Sequence, residues 1–473
     1  MPEPTTPDTG SHNNAAVSTD AINQPPKAGL LSSLFQRLPM TVFWALAAQG
    51  IVSVTRILTT VTVGGRFAPD DTASGAMLGS PEQLSLYYAA FGVLTVLIAM
   101  HEGFVTIPMT VFLPRQGKER EATFSGHMLL ASLCFIGLAL CMVAMWIIYQ
   151  YQIGGGMTSA LTVIAFVIVL APLQLLREFS RRWLLANLQV RPSALLEILF
   201  SVAFLTCLAA LFFFQQLTAI RAFVAIAAVN VMALGAWWYF YRSNFAITLD
   251  GSGKQLKENF RYGRWAAGEN FCSSITMFFC VWYLNRELGL VPGGVYSACF
   301  NVMLLANPFL LGVCSLLGAR AAQEFTKGGW NAMLKTLAQY GTFVFVVLMG
   351  FAVLLWVFGA DLTNLLFSEK YQAWFDVNAG GINRVTSVLG LAVPFLGVSF
   401  VLSTALLAIR RPNDNFFCAL ASLMVLVGIN LAFGPSLMVA AISFVSASAT
   451  NAAFRMGCLL RAWAVRETAD IST

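Results

Sequence analysis

Apolar residues along this chain come in twelve stretches, at about 39–63, 84–112, 123–149, 158–176, 193–214, 219–241, 265–285, 295–319, 335–359, 385–409, 414–433 and 436–460. A helix rising 1.5 Å per residue needs about 20 apolar residues to cross a bilayer, and nearly all of these stretches reach that length. None alternates with the period of a strand, so the pattern predicts an all-α, polytopic membrane protein with about 12 transmembrane helices.

The polar positions between the stretches add an orientation. Numbering the loops alternately, and counting basic residues near the end of a stretch with the adjacent loop, 22 lysines and arginines fall on the side that holds the N-terminus and 5 on the other, leaving Arg56 inside a span. Basic residues stay on the cytoplasmic side of a membrane, so both termini are expected in the cytoplasm of a cell (inner or plasma) membrane protein. Six spans in each half would make any internal duplication a parallel repeat. The first span carries Gln49, Ser53, Arg56 and Thr60, and the seventh carries Glu269, Ser273, Thr276 and Cys280 at the same spacing, on one helix face. The expected organisation is a disordered cytoplasmic tail (1–36), a six-helix lobe (37–241), a basic cytoplasmic linker (242–264) containing Gly251 and Gly253, a second six-helix lobe (265–463) and a short tail (464–473).

Composition narrows the chemistry. With 58% hydrophobic and 11% charged residues, little chain remains for a soluble domain. The net charge of +6 sits in short loops, where it sets topology and attracts anionic membrane lipids; no nucleic acid is expected as a partner. All nine cysteines lie in apolar segments, and with three histidines and no metal-ligand spacing the chain predicts no metal and no cofactor. No phosphate loop, nucleophile elbow or catalytic carboxylate pair is present, so an enzyme is not expected.

Polar residues within spans are then the informative ones, because a charge near the bilayer centre is costly and usually faces protein or water. Arg56 lies about 10 Å inside the outer end of its span; it either lines a cavity with Gln49 and Ser53 or snorkels to the interface. His101 and Glu102 are adjacent, close to Pro108, so at most one of them faces a cavity squarely. Glu269 and Asn270 either line the second lobe's cavity or cap a helix near the headgroups, and Arg384 is a cavity residue or an interfacial anchor. Arg177, Arg181 and Arg182, with Arg191, read as topology signals or as a cytoplasmic cluster attracting an anionic headgroup. Pro108, Pro172, Pro308 and Pro394 lie within spans and predict bends.

With these residues in view, the chain resembles the polysaccharide-export branch of the multidrug/oligosaccharidyl-lipid/polysaccharide exporter superfamily, which includes O-antigen flippases. The resemblance rests on Ala48-Gln49-Gly50 and Thr59-Thr60-Val61 before Arg66, the turn Arg177-Glu178-Phe179-Ser180-Arg181-Arg182, Asn307-Pro308, Phe367-Ser368-Glu369-Lys370-Tyr371 and the small-residue-rich last span. It implies two six-helix lobes around a central cavity that opens alternately to either side. Arg56, and with it Arg384, would then line a cationic cavity for a diphosphate headgroup. The implied function is flipping of polyprenyl-diphosphate-linked oligosaccharide for cell-surface polysaccharide biosynthesis, with that lipid-linked oligosaccharide and other polysaccharide-assembly membrane proteins as partners. Two departures are Arg56 itself, where a small polar residue is expected, and a long first external loop (64–83). The alternatives are a cation-coupled multidrug exporter of the same superfamily and, further off, a membrane enzyme of polysaccharide assembly.

Overall fold

The computed structural model describes residues 40–64, 80–113, 118–154, 159–187, 189–248, 252–367, 371, 375, 384–409 and 411–471. The expected N-terminal tail (1–36), most of the first external loop (65–79) and Gly251 of the linker lie outside the described residues. By internal contacts the chain divides into a segment 1–43 and a unit 44–473, and the helical bundle is the second of these.

No strand occurs among the described residues. The helices are α1 (Met40–Val63), α2 (Pro81–His101), α3 (Ile107–Phe112), α4 (Lys118–Gly154), α5 (Ser159–Ala186), α6 (Val190–Phe213), α7 (Ala219–Tyr241), α8 (Ser252–Glu287), α9 (Leu290–Met303), α10 (Asn307–Phe367), α11 (Arg384–Gly390), α12 (Ala392–Ala408), α13 (Pro412–Phe433) and α14 (Leu437–Ile471). They make twelve passes, because α2 with α3, and α11 with α12, each form one pass. Helix α9 likewise continues into the first part of α10, and α10 turns back at Gly329, whose φ of 65° is outside the helical range. Nine stretches among the described residues are long and apolar enough to cross a membrane; α1, α5 and α8 complete the twelve.

Local chemistry explains where helices start and bend. Ser80 caps α2 by accepting from the Gln83 amide at 3.3 Å, with Pro81 in the first turn, and Thr218 caps α7 through the Arg221 amide at 3.2 Å. Pro108 has no N–H to give and its ring crowds the carbonyl four residues back, and the turn before it, Glu102–Thr106, is widened into a π-helix. Pro308 follows a 3₁₀ turn at Leu304–Ala306, and Pro394 follows the break at Leu391. Pro172 lies inside the unbroken α5. The expected linker is partly helical, since α8 already begins at Ser252, and Ala246 ties the preceding segment to α4 by donating to the Ala122 carbonyl at 3.0 Å. Likewise α14 runs through 464–471, where a tail is expected.

Burial follows the logic of a lipid solvent. Large apolar side chains such as Val202, Met232, Val346, Phe358 and Met424 are exposed on the outside of the bundle, while Tyr296, Phe300, Phe444 and Leu84 fill its interior. Helix α2 is the central element, packed on α5, α8 and α9. We call the end of the bundle at which α1 finishes and α2 begins the upper end, and the other the lower. Small residues let the backbones approach at both: a Cβ at Gly294 would lie 1.8 Å from the Pro81 carbonyl oxygen, and one at Gly103 would lie 2.3 Å from the Ala267 Cα. Gly103→Val is therefore expected to part α2 from α8 and to destabilise the folded protein by at least about 1–3 kcal/mol. Thermal unfolding in detergent reads this as a lower midpoint; an unchanged midpoint would contradict the close approach.

Candidate functional site

Near the upper end, α1, α2, α8 and α9 converge on an aromatic group. Tyr87, Tyr88 and Phe91 share one face of α2, and Phe91 packs edge-on against Phe278 of α8 with ring centroids 6.2 Å apart. Tyr87 stacks on Phe223 of α7 at 5.1 Å. The exposed guanidinium of Arg56, from α1, lies over the Phe91 ring, 5.5 Å from its centroid. Such a stack is worth about 0.5–1 kcal/mol where solvent reaches it. It orients the charge without neutralising it: among the described residues no carboxylate forms an ion pair with Arg56.

One turn above Arg56, the Thr60 hydroxyl donates to the Arg56 carbonyl at 2.9 Å and lies 3.3 Å from the Tyr88 hydroxyl. Tyr88 donates to Asn301 of α9, whose amide donates to the Ser297 carbonyl at 2.6 Å. Tyr88 is thus the joint between the helix carrying Arg56 and α9, and beside it Ile57, Thr60, Val61, Asn301 and Leu305 line a small pocket. Tyr88→Phe leaves Asn301 without its donor, at an expected cost of about 1–3 kcal/mol, which denaturation of the purified protein measures; no loss of stability would mean the joint is not made.

Toward the lower end a second group is held by charge. Glu102 projects from the π-helical turn and accepts from Arg182 of α5. Arg182 Nε also donates to Glu178 at 2.9 Å, and Arg181 donates to the same carboxylate at 2.5 and 3.0 Å. Glu197 of α6 closes the network, 3.6 Å from Arg177 and 3.9 Å from Arg181, while Arg177 lies 3.7 Å from the centre of the Phe200 ring. Three guanidiniums thus face three carboxylates within the bundle, which leaves them less free charge for an anion than Arg177, Arg181 and Arg182 offer when read alone.

The second half holds a separate ion pair. Glu269 of α8 accepts from Arg455 of α14 at 2.6 Å and from Ser403 at 3.3 Å. Arg455, only 4% exposed, also donates to the carbonyl and hydroxyl oxygens of Ser399 at 2.9 and 3.0 Å, so the pair clamps α8, α12 and α14 together.

The remaining sequence-derived candidates scatter. Ser53 is buried, one turn below Arg56, and the side chain of Gln49 lies outside the described ones. His101 is fully buried, its Nε2 2.8 Å from the Ser132 hydroxyl. Asn270 donates to the Ala99 carbonyl of α2 at 3.2 Å, just before the widened turn. Arg384 is exposed at the start of α11. The apolar and basic pattern does not single out Glu178, Glu197 or Arg455 as partners. Glu178 has a signal, standing three and four residues before two arginines; Glu197 and Arg455 have another, as charges inside the apolar stretches 193–214 and 436–460.

No family sequence model matches this chain. No curated protein matches it by sequence. Solved structures do match. An inward-facing multidrug resistance MATE family transporter of the MOP superfamily is similar with a TM-score of 0.70 at 15% identity, over 89% of this chain and 96% of that one. The chain has the fold of a MOP superfamily transporter. An outward-facing multidrug resistance MATE family transporter gives 0.66 at 15% identity, over 90% and 96% of the two chains. A MOP superfamily transporter from Pyrococcus furiosus, described by the reverse polarity of its binding pocket and a different function, gives 0.65 at 14%, over 91% and 95%. These neighbours share an all-helical fold of twelve helices in two six-helix lobes, and in this chain α2, in the second pass, packs on α8, the seventh.

Proposed function

We propose that this multi-pass membrane protein exports amphipathic molecules by alternating access, and that the molecules it prefers are anions. The observation that carries the reading is Arg56, an unpaired guanidinium laid on an aromatic ring where helices of the two lobes meet. The aromatic group offers an apolar surface and Arg56 a positive point beside it, a pairing that suits a molecule with an apolar body and an acidic group. Export of drug-like molecules is favoured by the fold neighbours, two of which are described as multidrug resistance transporters. The Pyrococcus furiosus neighbour, with its pocket of reverse polarity, supports a change of sign on the same scaffold.

A second reading is the flipping of lipid-linked oligosaccharide. Arg56 favours it equally, since a prenyl diphosphate is also an amphipathic anion, but the fold neighbours favour drug export. Cells expressing the chain and lacking their own exporters distinguish the two. Faster loss of an anionic fluorescent dye, with ethidium retained, is expected from anion export; ethidium loss alone would sink the preference for anions, and restored surface polysaccharide without dye export would favour the flippase.

The proposed orientation puts both termini and the lower end in the cytoplasm, with the lobes at 37–241 and 265–463. A reporter fused near Gly253 is then expected to read as cytoplasmic; an external reading would reverse the assignment.

A further inference from the structure

Cationic and aromatic side chains also meet at the lower end, on the outside of the bundle. Helix α8 runs upward from Ser252, and Phe260, Arg264 and Phe271, at spacings of four and seven, share one of its faces and are all exposed. Aromatic walls flank that face. On the α2 side, Phe104 of the widened turn stacks on Phe260, with ring centroids 5.5 Å apart and planes 5° from parallel. On the α13 side, Trp265 packs against Phe416 at 5.6 Å and Phe417 at 5.9 Å, and Gly268 makes room for the Phe416 ring, since a Cβ there would lie 2.6 Å from it. Phe417 also begins a stripe of exposed apolar residues along α13, continued at Met424 and Leu431, which is the pattern of a helix face turned to lipid.

Between these walls the Arg264 guanidinium lies 5.1 Å from the centre of the Trp265 ring. Arg261 and Lys257, one and two turns nearer the start of α8, are exposed as well, and none of the three forms an ion pair with a described residue. The acid in the first turn of α13, Asp414, is already held by Arg411 at 3.6 Å. Arg264 stands at the foot of the apolar stretch 265–285, which puts the basic groups at the level of the headgroups; Phe271, seven residues on, lies about 10 Å deeper.

We propose that this groove binds a phospholipid with an anionic headgroup, taken from the surrounding bilayer, with its phosphate on Arg264 and an acyl chain laid along Phe271. Charge complementarity selects the headgroup, because a guanidinium pairs with phosphate and the two further cations favour a lipid of net negative charge over a zwitterionic one. The aromatic walls give a free phosphate ion nothing to hold, whereas an acyl chain gains contact with them. The site is separate from Arg56, near the upper end, and does not depend on what the protein transports. A lipid seated here touches the turn after α2 as well as α8 and α13, so its binding is expected to stabilise the fold.

The test mixes the full-length protein, stripped of lipid in detergent, with phosphatidylglycerol or with phosphatidylcholine of the same chains. Native mass spectrometry reads the bound lipid and thermal unfolding reads the stability. Preferential retention of phosphatidylglycerol with a raised midpoint is expected, and the preference should shrink as salt rises. Arg264→Ala is expected to lower the affinity for phosphatidylglycerol about tenfold or more. Arg286→Ala removes the same charge from the exposed upper end of α8 and should leave that affinity unchanged. Equal retention of the two lipids by the parent, or equal losses in the two variants, would overturn the proposal. Inorganic phosphate raising the midpoint as far as phosphatidylglycerol does would overturn the lipid as occupant.

Discussion

Arg455→Met is expected to destabilise the protein by about 3–5 kcal/mol, because it leaves the Glu269 carboxylate buried without its cation. Methionine fills much of the arginine's apolar volume, so the loss reports the charge and hydrogen bonds more than the packing. The partners left behind are Glu269 and both Ser399 oxygens, on α8 and α12. The double variant Arg455→Met with Glu269→Gln removes both charges and is expected to recover most of that loss, since a neutral amide can keep the Ser403 contact. Thermal unfolding of the two variants beside the parent decides the matter. A double variant as unstable as the single one would mean that Arg455 acts through Ser399 alone.

Arg56→Glu should produce the other large effect, this time on transport and not on folding. Arg56 is exposed and has no ion-pair partner among the described residues, so its loss strands no buried charge. A charge-assisted contact contributes about 1.5–3 kcal/mol, which corresponds to roughly ten- to a hundredfold in apparent affinity for an anion; reversal of sign adds repulsion to that loss. Arg56→Lys keeps the charge but not the planar guanidinium stacked on Phe91, and an intermediate value is expected. Membrane insertion should be unchanged in both, because the span stays long enough to cross.

The architecture was legible because lipid makes severe demands on a chain: each pass must be about 20 residues long with its backbone bonded internally. The twelve apolar stretches therefore map one to one onto the twelve passes. Pro108 and Pro308 mark real interruptions, while Pro172 sits in a continuous helix, so a proline alone does not settle whether a helix bends. Helix ends were less legible, as at Ser252, where α8 begins well before its apolar part. The charged groups divided by sequence separation. Glu178 and its arginines are a turn apart on α5 and can be read from spacing. Glu269 and Arg455 are 186 positions apart, and nothing local in a helix records a partner on another. Arg56 stood out because a charge in an apolar run is rare, yet its aromatic bed of Phe91, Tyr88 and Phe278 emerged only when α2 and α8 were brought together.

The most direct test of the preference for anions is the ratio of transport rates for farnesyl diphosphate and ethidium, measured in liposomes for the parent protein and for Arg56→Glu at matched protein density. The parent is predicted to move the anion faster, and the variant to lose this preference at least tenfold. A parent that prefers ethidium, or a ratio that Arg56→Glu leaves unchanged, would contradict the role assigned to Arg56.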